Sequence, residues 1–164
     1  MNRTCSLEGK TALVTGGRRG IGKAVALAFA EAGADVAVCA QTDDEILASV
    51  AEEIRRWGRR SIALKADVSI KSEVDAMVEK VMEEFGCIDI LVNCAGMWIP
   101  GQYLLDFSEE SWDKVMDVSL KSVYLCSQAV GKKMVAQRRG NIINFSSRAG
   151  IYPRRLAGAY CAAK

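Results

Sequence analysis

TALVTGGRRGIG, residues 11–22, is a short apolar run that ends in a glycine-rich turn and then enters a helix-forming stretch. Glycines at 16, 20 and 22 let a backbone turn tightly and let a ligand approach where a Cβ would block it. A helix beginning near Gly20 aims its free amides and the positive end of its dipole into the same space, which suits a pyrophosphate. Glycine triplets are common in turns. Between a strand and a helix, at the head of a βαβ unit, the triplet has the context that a dinucleotide-binding turn requires.

The same alternation continues along the chain. The helix from Gly20 is expected to reach Ala32, with Gly33 stopping it. Val36–Ala40 reads as a second strand. Thr42 and Glu45 form a T-x-x-E capping box, and the helix behind it places Ile46, Val50, Ile54 and Trp57 on one face before Gly58. Ser61–Ala66 is a third strand. Val74, Met77, Val78, Val81, Met82 and Phe85 form the stripe of the next helix, which Gly86 ends. Ile88–Val92 is a fourth strand, followed by a loop with Pro100 and Gly101. One long helix is predicted from Ser111 to Gln137, a fifth strand over Asn141–Phe145, and the start of another helix over Ala157–Lys164. Continuous apolar strands alternating with helices predict an α/β fold: a single Rossmann-like domain over 1–164, with a doubly wound parallel sheet covered by helices on both faces.

Composition excludes several classes. Half of the 164 residues are apolar and about a quarter are charged, an ordinary globular balance. With 22 basic against 20 acidic residues there is no basic excess of the kind nucleic-acid binders carry. The clusters Arg55–Arg60, Arg138–Arg139 and Arg154–Arg155 read as solvated helix ends and loops. The chain has no histidine, which removes Cys/His zinc sites and Ser-His triads; no metal is expected. None of the six cysteines forms a C-x-x-C pair, and most lie in apolar runs, so free packed thiols and a cytoplasmic, reducing location are expected. Met1–Lys10 has no apolar leader-like core, and no run reaches the ~18 apolar residues of a membrane span.

Tyr160 and Lys164 are four residues apart, which on a helix puts them on one face, one turn apart. A phenol with a free pKa near ~10 is a poor base at neutral pH, and a neighbouring ammonium favours its ionised form. The pair can then pass a proton to or from a substrate oxygen. Ser147, thirteen residues before Tyr160, ends the fifth strand. Asp67-Val68 ends the third strand, and Asn93-Cys94-Ala95-Gly96 ends the fourth.

These motifs together, with the Gly16-x-x-x-Gly20-x-Gly22 spacing, resemble the classical short-chain dehydrogenase/reductase family, in particular its 3-oxoacyl-[acyl-carrier-protein] reductase-like members. The resemblance implies an NAD(P)(H)-dependent oxidoreductase that interconverts a carbonyl and a secondary alcohol by hydride transfer. It assigns the dinucleotide to Gly16, Arg18, Arg19, Gly20, Ile21, Gly22, Gln41, Asp67, Val68, Asn93, Ala95, Gly96, Tyr160 and Lys164. Tyr160 is then the general acid in reduction and the base in oxidation. Lys164 tunes Tyr160 and holds the nicotinamide ribose, and Ser147 binds the substrate oxygen. Asp67 serves equally well as a helix cap, and Ser146 reads as structural.

NADP(H) is favoured over NAD(H), because no carboxylate stands at Ala40 or Gln41 to repel a 2′-phosphate and Arg19, helped by Arg18, matches a basic position of NADP-preferring relatives. Gln41 stands where many of those have arginine. Ser119, in Asp117-Val118-Ser119-Leu120, replaces the family's catalytic asparagine, and Cys94 replaces an asparagine of the fourth-strand motif. A second reading therefore stays open: a catalytically weak or inactive dinucleotide-binding or regulatory member. The expected partners are a small carbonyl or alcohol substrate and further copies of the chain, as a homodimer or homotetramer assembled through Val115, Val118, Val123, Tyr124 and Leu125 of the long helix. No nucleic acid or membrane partner is expected. Trp98, Ile99 and Tyr152 either line the substrate pocket or pack the loops. The family pattern continues past Lys164. A chain ending there is expected to leave Tyr160 and Lys164 in a fraying turn, the fifth strand as an open apolar edge, and little or no activity.

Overall fold

In the computed structural model, which describes residues 6–42, 44–101 and 103–164, the first strand sits at the centre of the sheet. β1 (Thr11–Thr15) pairs in parallel with β2 (Asp35–Ala40) on one side and with β4 (Ile90–Asn93) on the other. β3 (Ser61–Lys65) lies outside β2 and β5 (Asn141–Asn144) outside β4, giving the order β3-β2-β1-β4-β5. The expected doubly wound parallel sheet is what forms.

Alternation within β1 distributes its side chains between two cores. Leu13 faces one layer, where Val74, Val78 and Val81 of α3 (Lys71–Phe85) and Leu125 and Val130 of α5 (Ser122–Gln137) close over it. Ala12 and Val14 face the other, against Ala26 and Ala30 of α1 (Gly20–Glu31) and Leu47, Val50 and Ile54 of α2 (Glu45–Arg55). Both faces are dry, which is why the strands are apolar without a polar side. Each fully buried leucine or valine contributes about 1.5–3 kcal/mol relative to exposure.

Three elements differ from the sequence expectation. Asp44, not Thr42, caps α2: its carboxylate accepts the Leu47 amide at 3.0 Å. The buried stripe of that helix is Leu47, Val50, Ala51 and Ile54, while Ile46 and Trp57 are 48% and 54% exposed. Steps of four residues drift around a helix with ~3.6 residues per turn, and Trp57 falls beyond its end. The long helix also divides. α4 (Glu109–Met116) starts early, capped by Ser108, and a π turn over Asp117–Lys121 separates it from α5. Third, β4 begins at Ile90 rather than Ile88, because Asp89 is buried beneath the sheet. Its carboxylate takes the Thr11 amide at 3.1 Å and Nε of Arg139 at 2.8 Å.

α6 (Gly158–Ala163) packs Ala159 and Ala163 on Val115 of α4, with Trp112, Phe107 and Ile99 around them. Ile99 is therefore loop packing. β5 is an edge strand among the described residues, with Ile142 and Ile143 38% and 39% exposed. Cys39, Cys87, Cys94, Cys126 and Cys161 are free thiols, and burial pushes Cys39 and Cys126 up to about 12, which makes both poor nucleophiles. Cys5 lies outside the described residues. No helix among the described residues is long and apolar enough to cross a membrane.

Candidate functional site

The chain winds from β1 outward to β3 and then returns to place β4 on the other side of β1. Ligand crevices of doubly wound sheets form at such a reversal, beyond the carboxyl ends of the strands. Here a crevice of about 550 Å³ opens there. Gly16, Arg18, Arg19, Ile21 and Gly22 line it from the turn and the start of α1, Gln41 from just past β2, Asp67 and Val68 from the loop after β3, and Ala95 and Gly96 from the loop after β4.

The turn is built by two left-handed glycines. Gly16 has φ +67, and a Cβ there would stand 3.0 Å from the Ala95 backbone. Gly20 has φ +58 and opens α1. Among the described residues no side chain caps that helix, and its first turn holds no acid. Its leading amides thus point outward without a side-chain acceptor.

The charged lining is partly self-paired. Arg18 donates from Nε to Asp44 at 2.6 Å, and this bond, with the Leu47 amide, holds the Asp44 carboxyl below the usual carboxylate range. Arg19 is in extended conformation just ahead of α1. Gln41 donates to Asp67 at 2.8 Å, and Asp67 also accepts the Ser69 amide at 2.9 Å and the Ser69 hydroxyl at 2.6 Å. Burial disfavours the charged carboxylate, but these bonds outweigh it and keep Asp67 below its ordinary value. Asp67 closes a turn in front of α3, whose capping position is Ile70.

Asn93 faces away from the crevice. Its amide donates to Asn144 at 2.9 Å and to Ser127 at 3.1 Å, tying β4 to β5 and α5. Ser119 is buried in the π turn. It donates to the Met97 carbonyl at 3.0 Å and accepts the Met97 amide at 2.9 Å, so both bonds go to one backbone residue.

Ser147 and Tyr160 line a second cavity of about 930 Å³, together with Trp98 and Tyr152. Ser147 accepts the Ala149 amide at 3.1 Å, capping a 3-10 turn over Arg148–Gly150 and leaving its own proton to donate. Lys164 lies between Gly96 of the first cavity and Tyr160 of the second. Its Nζ lies 6.0 Å from the centre of the Tyr160 ring and 3.3 Å from where a Cβ on Gly96 would stand. It donates to the Phe145 carbonyl at 2.9 Å. Burial holds the Lys164 ammonium below its ordinary value, partly offset by Cys94. Ser146 donates to the Lys164 carbonyl at 2.8 Å, a structural tie.

The sequence did not point to Thr15, Met97 or Val118. The Thr15 hydroxyl donates to the Val92 carbonyl at 3.3 Å and accepts the amides of Cys94 at 3.1 Å and Ala95 at 3.2 Å, fixing β1 to the end of β4. A threonine directly before a glycine turn was the one available signal. Met97 and Val118 line the crevice from a loop and the π turn, which no periodicity marks.

Comparison with known proteins agrees with this architecture. Residues 10–164 match the short chain dehydrogenase family. A 3-oxoacyl-[acyl-carrier-protein] reductase, FabG, of Staphylococcus aureus strain Mu50 is 42% identical over 155 residues, covering 94% of this chain and 63% of that protein. A Sinorhizobium meliloti 1021 protein described as a short-chain alcohol dehydrogenase superposes with a TM-score of 0.93 at 39% identity, over 97% of this chain and 62% of that one. An NAD+-bound xylitol dehydrogenase gives 0.92 at 30% identity, over 96% and 60%. The chain thus spans less than two thirds of these relatives. With its family model matched over residues 10–164, the chain belongs to the short chain dehydrogenase family.

Proposed function

We propose that this chain forms the dinucleotide-binding and proton-transfer part of an NAD(P)(H)-dependent oxidoreductase that interconverts a carbonyl and a secondary alcohol, with NADP(H) favoured over NAD(H). The observation that carries the proposal is Lys164, whose ammonium lies against Gly96 of the crevice and 6.0 Å from the ring centre of Tyr160, which lines the second cavity.

The donor set fits a dinucleotide. The leading amides of α1 suit a pyrophosphate. Gln41 and Asp67, joined by a hydrogen bond, offer polar atoms at the far end. Gly96 keeps the wall beside Lys164 free of a Cβ. Arg19 in the crevice, with no carboxylate at Ala40 or Gln41, supports NADP(H). The xylitol dehydrogenase neighbour was solved with NAD+, so the choice rests on these side chains.

A bound nicotinamide supplies or accepts the hydride at the carbonyl carbon. Tyr160 gives the substrate oxygen a proton in reduction and takes one in oxidation. Lys164 stands one helical turn on, with Nζ 6.0 Å from the centre of the Tyr160 ring. Ser147 keeps a free O–H to donate to the same oxygen. Ser119 holds the Met97 loop instead of meeting the substrate. The exposed Leu120 of the π turn and Tyr124 of α5 support self-association along this face.

The test is steady-state NADPH oxidation by the intact protein with ketones and 3-oxoacyl thioesters. Tyr160→Phe should lower kcat by about 10²–10⁴-fold, with the dinucleotide Kd unchanged. Turnover that survives Tyr160→Phe, or a higher kcat/KM with NADH, contradicts the corresponding part.

A further inference from the structure

We propose that the cavity holding Ser147 and Tyr160 selects carbonyl substrates that carry an anionic group, a carboxylate or a phosphate, bound by Arg154 and Arg155. The inference takes its reaction from the proposed function and adds the class of substrate.

Arg148, Arg154 and Arg155 line this cavity, and among the described residues no acidic one does. Several arginines elsewhere find carboxylates: Arg18 pairs with Asp44, Arg59 with Glu8, Arg139 with Asp89. Among the described residues Arg154 and Arg155 make no ion pair. They are held by aromatic faces instead. The Arg154 guanidinium lies 5.4 Å from the centre of the Trp98 ring, and that of Arg155 lies 5.5 Å from Tyr103, to whose hydroxyl it also donates at 2.9 Å. An aromatic face orients a guanidinium without neutralising it, and the planar fork keeps donors for an incoming carboxylate or phosphate.

The backbone ties the pair to the helix of Tyr160. The Arg154 amide donates to the Cys161 thiol at 3.3 Å, one residue after Tyr160. Leu156, immediately after the two arginines, has φ +62, a conformation that costs a side-chain-bearing residue energy and persists only where neighbours enforce it. The buried Ala157 that follows anchors the segment. At about 930 Å³ the cavity has room for a charged tail beyond the reacting carbonyl.

The experiment uses the intact protein and two matched pairs: 4-oxopentanoate against 2-hexanone for a carboxylate, and dihydroxyacetone phosphate against dihydroxyacetone for a phosphate. In at least one pair the anionic member should have kcat/KM about tenfold higher, the scale of a hydrogen bond to a charged group. The pair that shows it identifies the anion. The ratio should fall toward one in Arg154→Gln/Arg155→Gln, and should shrink in about 1 M salt. Neutral and anionic members used equally, or a preference that survives the double substitution, overturns the inference while leaving the reaction standing. No turnover of any of them overturns the reaction itself. Calorimetric titration with 4-oxopentanoate and dihydroxyacetone phosphate then decides the anion site: saturable binding lost in the double variant upholds it, and its absence sinks it.

Discussion

Thr15→Val removes one hydroxyl and keeps the side chain's volume. Thr15 is buried at the end of β1, and its oxygen accepts the amides of Cys94 at 3.1 Å and Ala95 at 3.2 Å. A valine methyl offers those amides nothing. Each buried donor left unpaired costs about 1–3 kcal/mol; the lost bond to the Val92 carbonyl, at 3.3 Å, is long and adds little. Partial relaxation of two such amides gives a loss of about 3 kcal/mol, or a fall in Tm of roughly 6–12 °C for a domain of this size. Thr15→Ser keeps the oxygen and loses a methyl, at about 1 kcal/mol. The same amides set the distance from Ala95 to Gly16 across the crevice floor, so the valine variant should also bind NADPH more weakly than the serine one. Denaturant unfolding of the three proteins measures the first effect and fluorescence titration the second. A valine variant no less stable than the serine variant refutes the reasoning.

Gly16→Ala adds a Cβ 3.0 Å from the Ala95 backbone at a φ of +67, and should weaken NADPH binding at least about tenfold; an unchanged Kd contradicts the close approach. Ser119→Ala leaves the Met97 amide and carbonyl without their partner, and should cost about 1–3 kcal/mol in chemical denaturation; a neutral result means that the hydroxyl clamp does not hold the loop. Burial keeps the Lys164 ammonium below its ordinary value of 10.5, so in the window between its folded value and 10.5 the unfolded chain binds more protons and stability rises with pH. Lys164→Met should abolish that rise, and stability curves that stay parallel across the alkaline window speak against it.

The inner strands β1, β2 and β4 were legible because both sheet faces are covered there, which leaves each a nearly continuous apolar run, whereas β5 keeps only Ile142 and Ile143 between asparagines and is exposed. Boundaries were less so. Asp89 read as part of the fourth strand, yet it precedes β4 and its carboxylate ties the Thr11 amide to Arg139. In α2 the eye follows Ile46 and Trp57, while the helix buries Ala51, a residue too small to announce a face. The π turn at Asp117–Lys121 has no sequence signal, since it depends on the Met97 loop that Ser119 clamps. In the site, the glycine turn and the crevice ends were readable from motif spacing. That Asn93 turns toward Asn144 was not, because strand alternation alone does not say which side of β4 the ligand occupies. Arg18 likewise looked free in sequence, and its tie to Asp44 appears only once α2 is folded beside the turn.

The proposed dinucleotide rests in the crevice at the β1–β4 reversal, with its pyrophosphate on the opening turn of α1. An amide-resolved NMR titration of the intact protein with NADPH tests it most directly. Saturable shifts concentrated at Arg19 to Lys23 and at Ala95 and Gly96 are the predicted result. No saturation, or shifts confined to other faces of the molecule, would contradict it.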